Sequence, residues 1–471
     1  MTIMIEAIRS QLPAQTGPRY RRIALAICAA VDSGQLQSGD KLPTHRNLAE
    51  HLGVSVQTVS FAYAHAEQQG YVHGKVGSGT YVGHRQAEQQ AEFLKPGSDT
   101  SDTLIDLSIA SAIAGNIQQQ AFSQTLQEIA NSPEGTELIT VVKPFAGLPR
   151  HRQAASRWLD QQGIEASADQ ICLCNGVTHG LMIALSSLVK PGGIVACEAL
   201  VDHGLIALAR TLNIKLEGVE IDAEGMVPEA LEHLCQQRVP DALCLTPNLH
   251  NPTSATQSES RRQALAAVAR HYGIAVVEDD IFGPLSDQKR RPIAAYLPDN
   301  SYYLSGFSKA LASGLRLGYL VPPKGQLDAV VGRLRASSWM ASPMTAEVAS
   351  RWIDDGTASR LADWQRRTLL RRQQLAADIL SGFDYLAAPN GPLIWLALPE
   401  AWRAESFISQ ARARGVSLTG AEPFVVGHQA APHSIRISVS SATSEAALVE
   451  GLKRLTQLLQ EQPPPLGEGI L

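Results

Sequence analysis

The sequence has no apolar run long enough to cross a bilayer. Its first residues, MTIMIEAIRSQLP, lack the basic start and apolar core of a secretory signal, so the expectation is a cytoplasmic protein without a membrane partner. Cysteine is scarce, at 6 in 471 residues. Cys172 and Cys174 alternate in a strand-like run, ICLC, and Cys28, Cys197, Cys235 and Cys244 are scattered. No C-x-x-C pair or Cys/His cluster has zinc spacing, so no metal site is expected and the cysteines should pack, reduced, in the core. A strong charge of either sign is also missing, the net value being −5. Nothing global therefore points to nucleic acid, and any such binding must come from a local patch.

What is there is length enough for a small domain and a large one. Residues 1–83 read as short helices ending in a Gly-rich hairpin. Residues 84–103, HRQAEQQAEFLKPGSDTSDT, read as a polar linker, partly helical at its start. Over 104–461 short β-rich runs alternate with amphipathic helical segments, which predicts a mostly parallel sheet wrapped by helices. The strand candidates are 194–198, 242–247, 274–280, 302–306 and 317–322. Residues 462–471 are rich in Pro and Gly and read as a flexible tail.

In the first region Ile23, Ile27, Ala30 and Val31 stand at helical spacing, and Gly34 ends the helix. Thr44 can cap a second helix with the apolar face Leu48, Ala49 and Leu52. Gly53 supplies a turn, and Ser55 is a natural N-cap for a third helix. There Val59, Ala62, Tyr63 and Ala66 form the buried stripe, while Gln57, Thr58 and Phe61 point elsewhere. Two short helices around a Gly turn make a helix-turn-helix, and GYVHGKVGSGTYV (70–82) reads as a two-stranded wing. The N-terminus of the third helix offers N–H groups and hydroxyls to phosphates, and Gln57 can read a base edge. The local charge is mildly positive. Arg9, Arg19, Arg21, Arg22, Lys41, Arg46 and Lys75 outnumber Glu6, Asp32, Asp40, Glu50 and Glu67 by two.

The run LPTHRNLAEHLGVSVQTVSFAYAHAEQQGYV, with GSGTYV after it, resembles the winged helix of the GntR regulators over nearly all of residues 18–83. The resemblance implies that Arg46, Ser55, Gln57 and Thr58 contact double-stranded DNA and that Gly79 sits at the wing tip. Many GntR proteins have Arg just after the Ser at the helix start, where Val56 stands here.

The strongest chemical signal in the large region is LSGFSKALASGLRLGYL (304–320). Lys309 follows a strand in a Ser/Gly-rich loop, and Arg316 comes seven residues later, placed to hold an anion. NGVTHGL (175–181) is a Gly turn leading into a helix, whose first N–H groups can bind phosphate. TPNLHNPT (246–253) ends a strand, as does VVEDDIFG (276–283), which closes in carboxylates. Together these segments resemble the fold-type I pyridoxal-phosphate enzymes, the aspartate aminotransferase superfamily, over roughly residues 104–459. The resemblance implies that Lys309 carries pyridoxal 5'-phosphate as an aldimine, Asp279 pairs with the pyridine nitrogen and Asn251 bonds the ring hydroxyl. It further implies that Arg316, Ser308 and the turn Gly176–Val177–Thr178 hold the phosphate, and that Arg436 pairs with a ligand carboxylate.

Several positions depart from that family. Asp202 and His203 replace an aromatic and a proline, leaving His203 to stack on the cofactor or the ring uncovered on that side. Ile281 and Phe282 stand where a Tyr is common. Gly306 replaces a phosphate-binding Ser or Thr, with Ser305 displaced by one, and Val142 replaces a Tyr that serves the neighbouring subunit.

A GntR winged helix fused to an aminotransferase-like domain resembles the MocR group of bacterial regulators. It implies a homodimeric, DNA-binding transcription regulator whose cofactor domain senses an amino compound, one with a carboxylate or pyridoxal phosphate itself, with poor turnover or none. Two readings compete: a working aminotransferase with a secondary winged helix, and a regulator that has lost the cofactor.

Overall fold

The computed structural model describes residues 2–12, 18–33, 35–36, 40–68, 71–75, 79–82, 104–286, 290–427 and 430–461. The expected linker from residue 84 to 103 and the tail from 462 to 471 lie outside the described residues. The chain divides into two compact units, the smaller built on residues 1–100 and the larger on 101–426 and 433–471.

The small unit has helices α1 (Thr2–Gln11), α2 (Arg19–Asp32), α3 (His45–Leu52) and α4 (Val56–Gln68), then strands β1 (Val72–Lys75) and β2 (Gly79–Val82). Side-chain caps set its boundaries. Thr44 accepts from the Asn47 amide at 3.3 Å to start α3, and Gly53, at φ 63°, ends it in the left-handed region. Ser55 Oγ accepts from the Thr58 amide at 3.1 Å and opens α4. Leu48 and Ala49 of α3 and Val59, Ala62, Tyr63 and Ala66 of α4 pack with Ile23, Ile27, Ala30 and Val31 of α2 in one core. β1 and β2 pair antiparallel from Val72↔Val82 to Lys75↔Gly79. This is a winged helix-turn-helix.

The large unit is built on a seven-stranded sheet. In chain order its strands are β3 (Cys172–Cys174), β4 (Ile194–Glu198), β5 (Lys215–Val219), β6 (Ala242–Leu245), β7 (Ala275–Asp279), β8 (Ser301–Gly306) and β9 (Gly318–Val321). Their spatial order is β3-β9-β8-β7-β6-β4-β5. Only β9 runs against the others, pairing antiparallel with both β8 and β3. Most of these strands are buried along their length, which is why they read as near-continuous apolar runs rather than as alternation. Beside the sheet stand helices α5 (Val177–Leu188), directly after β3, and α6 (His203–Thr211), after β4. A second, antiparallel sheet holds β10 (Tyr385–Ala387), β11 (Leu393–Ala397), β12 (Thr419–Gly420) and β13 (Ser434–Ser438). All six cysteines are free and buried, and among the described residues no His/Cys/Asp/Glu group could hold a metal. No helix of the described residues is long and apolar enough to cross a membrane.

Candidate functional site

In an open parallel sheet the groups at the carboxyl ends of the strands converge. Here those ends carry the turn at Gly176 after β3, Asp202 and His203 after β4, Asn251 after β6, Asp279 closing β7 and Lys309 after β8. Arg436 arrives from β13 of the second sheet, flanked by Trp395 and Thr419 on the neighbouring strands.

Lys309 Nζ donates to the Ala110 carbonyl at 2.6 Å. Burial pulls its pKa below the ordinary lysine value; Arg436 and Arg316 act in the same sense, while Asp202 and Asp279 oppose them. Asp279 Oδ1 accepts from the Ile281 amide at 3.1 Å. Burial pushes the Asp279 carboxyl up to about 7, with Asp202 and Asp280 adding to the rise. An amine made less basic and an acid made less acidic thus share one pocket, the pattern of a chemical site more than of a structural ion pair.

A chain of polar contacts crosses the same pocket. Asp202 caps α6, its Oδ1 accepting from the Gly204 amide at 2.8 Å. Its Oδ2 accepts from Asn251 Nδ2 at 2.7 Å, and Asn251 Oδ1 accepts from Arg436 Nη1 at 2.8 Å. Arg436 Nη2 donates to the Ser108 carbonyl and, at 3.5 Å, to Thr419 Oγ1. Its guanidinium stands over the Phe424 ring, 4.6 Å from the centroid. Arg436 is only 2% exposed, and its Nε has no partner among the described residues. Burial lowers its pKa to about 10, against the pull of Asp202 and Asp106.

The turn before α5 is a cradle. Gly176 is the N-cap at φ 85°, and a Cβ there would come within 3.2 Å of the exposed Arg316 guanidinium. Arg316 itself holds a left-handed backbone, φ 46°. Val177 is buried and Thr178 exposed at the helix start, and Ser308 is buried. The first N–H groups of α5 and the Arg316 guanidinium therefore face the same small region, where an anion is favoured. The fit to pyridoxal phosphate is good: a depressed lysine, a carboxyl at a strand end, an amide, and an arginine beside a glycine helix start.

The departures have structural reasons. A Cβ on Gly306 would lie 2.8 Å from the Leu317 carbonyl oxygen, so no serine fits there. Ser305 is fully buried in β8 and, by strand alternation, points to the opposite face. Phe282 is buried in the core and Val142 is 58% exposed. His203 starts α6 partly buried, its ring 6.3 Å from Phe424 in an edge-on contact. Burial lowers its pKa.

In the small unit Arg46, Ser55 and Gln57 are exposed and Thr58 is half-buried. Val56 and Phe61 are exposed too, at 45% and 56%. Gly79, expected at the wing tip, opens β2, and a Cβ on it would sit 3.0 Å from Lys41 Cε; residues 76–78 of the wing lie outside the described residues. Sequence reasoning missed Phe424 beneath Arg436, the Ala110 and Ser108 carbonyls, and the charge that Asp202 brings. A lone Phe in AEPFVVG and two backbone oxygens leave no pattern to read. A cavity of about 890 Å³, lined among others by Trp158, Asn248, Asp280 and Tyr303, does not include Lys309.

Residues 115–455 match the family described as aminotransferase class I and II. The chain belongs to that family. Residues 19–82 match the bacterial regulatory proteins of the gntR family, and the two matches in one chain give the layout of the MocR-type transcription regulators. An uncharacterised HTH-type transcriptional regulator of Bacillus subtilis, YdeF, is 28% identical over 94% of this chain and 95% of its own. The vitamin B6 salvage pathway transcriptional repressor PtsJ of Salmonella typhimurium is 28% identical over 87% of this chain and 91% of its own. Among solved structures, the Pyrococcus horikoshii kynurenine aminotransferase superposes with a TM-score of 0.70 at 23% identity, covering 80% of this chain and 94% of that one. An archaeal alanine:glyoxylate aminotransferase gives 0.70 at 21% identity, over 79% and 94%. These likenesses fix the large unit as a fold-type I aminotransferase fold.

Proposed function

We propose that the protein is a homodimeric transcription regulator that binds duplex DNA through its winged helix and changes its DNA affinity when a small amino compound occupies a pyridoxal-phosphate site in the large unit. The observation that carries the reading is Lys309, a half-buried amine at the strand ends that donates to the Ala110 carbonyl at 2.6 Å and whose pKa burial lowers, in one chain with a gntR-family domain. Pyridoxal phosphate, when bound, supplies a carbonyl that captures amines covalently and a ring that withdraws electrons. The chain's part is to hold and orient it. Lys309 would offer an amine that burial makes less basic, Asp279 would hold a proton at the pyridine nitrogen, and Asn251 would donate to the ring oxygen. Arg316, Ser308 and the turn Gly176–Val177–Thr178 take the phosphate, His203 borders the ring, and Arg436 takes a ligand carboxylate. Arg46, Ser55, Gln57 and Thr58 contact DNA, with Gly79 beside it in the wing. The exposed apolar side chains Ile139 and Val142, 76% and 58% accessible, suit burial against a second copy. The relative named as a vitamin B6 repressor supports pyridoxal phosphate as cofactor or signal.

Two domain jobs demand a coupled test. Duplexes are selected from a random pool by the full chain, and affinity for the winner is measured with and without pyridoxal phosphate and a panel of amino acids. A change of threefold or more with one of them is the expected result. Selection of no duplex, or an affinity untouched by cofactor and every amino compound, contradicts the reading.

A further inference from the structure

We propose that Asp202 makes the ligand pocket selective for amino acids that carry a second positive charge, and that it excludes dicarboxylates. The inference rests on the reading that Lys309 holds pyridoxal phosphate.

Arg316, Arg436, Asp279 and Asp202 gather about Lys309, each acting electrostatically on it. With the cofactor assigned as above, Arg316 is spent on its phosphate and Asp279 on its ring. Two charged groups remain for the ligand. Arg436 is a buried guanidinium that forms no ion pair among the described residues; its partners are an amide oxygen, a carbonyl and a hydroxyl. A buried cation without an anion is costly, and a ligand carboxylate relieves that cost. Asp202 is the complementary pole. One Asn251 amide joins it to Arg436, so the two charges lie one side chain apart. Its side chain is 45% exposed, open to an incoming group. Each of its oxygens has spare accepting capacity after the contacts with Gly204 and Asn251. His203 Nδ1 is 3.6 Å away, and burial lowers the His203 pKa, so at neutral pH the imidazole does not cancel the carboxylate's charge. Opposite poles joined through one Asn251 amide read a zwitterion with a cationic tail. A ligand with a second carboxylate meets like charge at Asp202, which is discrimination by repulsion.

The test uses three amino acids of equal length that share one head group and differ only at the tip: L-lysine, L-norleucine and L-2-aminoadipate. Each is titrated into the pyridoxal-phosphate-loaded full chain, and the shift of the visible band gives the half-saturation concentration. The same is done with Asp202→Asn and Asp202→Ser, both good helix caps that keep α6 started without the charge. In the wild type, L-lysine saturates at a concentration at least tenfold below L-norleucine, and L-2-aminoadipate is the weakest. Both variants bring L-lysine within about twofold of L-norleucine. A wild type that does not separate the three, or a preference for L-lysine that survives in both variants, overturns the proposal while leaving the cofactor reading intact. A wild type with no visible band removes the cofactor reading and this inference together.

Discussion

At the scale of single residues, burial decides protonation in the pocket and hence what each group can do. The Asp279 carboxyl is held up to about 7, against about 4 in an unfolded chain. A raised acid contributes stability that is complete below pH ~4 and lost as pH climbs through ~7. At pH 8 the cofactor-free protein therefore carries an ionised, poorly compensated carboxylate. Asp279→Asn should raise its melting temperature at pH 8, with the difference vanishing toward pH 4. The same variant should bind pyridoxal phosphate more weakly, because a neutral amide cannot balance the charge of a protonated ring nitrogen. Arg436→Lys keeps a positive charge but cannot span Asn251 and Ser108 with one planar fork. Titration should show carboxylated amines binding at least tenfold more weakly to it, and amines without a carboxylate unchanged.

At the scale of elements, much of the plan was legible. The caps Thr44 and Ser55, the turn at Gly53 and the buried stripe of α4 all stand where their residue types and spacing put them, because capping and helical periodicity are local signals. The five strand runs read in the sequence were equally legible, since a strand covered on both faces must be apolar throughout; β5, Lys215–Val219, is partly exposed and was not read. What could not be read was long-range. The reversal of β9 depends on its partners β8 and β3, and Phe424 reaches Arg436 only through the folded second sheet. Asp202 was visible as a departure, but its bond to Asn251 was not, because 49 residues separate the two. Gly53 gives a clean test of the local part. Nothing lies within 4 Å of a Cβ there, yet φ is +63°. Gly53→Ala should therefore cost about 1 kcal/mol through backbone strain alone, read from denaturant unfolding of the small unit.

At the scale of the whole molecule, two activities are housed in two units and should fail separately. Winged-helix docking should neutralise about three or four phosphates per half-site. The logarithm of DNA affinity should then fall with the logarithm of salt at a slope of roughly −3 per half-site. Lys309→Ala should leave that slope unchanged, whereas Arg46→Ala should lessen it by about one. Buried acids beyond the ligand pocket also shape the large unit. Burial raises Glu198 and Glu278 to about 7 each, so with Asp279 they make the cofactor-free protein lose stability between pH ~4 and ~7. His250, buried and lowered to about 4, works the other way, its contribution present above pH ~6.5 and lost as pH falls through 4.

Whether Lys309 holds pyridoxal phosphate is read from the absorbance spectrum of the purified full chain with added cofactor. A visible band should appear on mixing, survive gel filtration and be absent from Lys309→Ala, while both proteins keep the same far-ultraviolet circular dichroism. Equal spectra from the two proteins, or free cofactor alone in both after gel filtration, would contradict the assignment to Lys309.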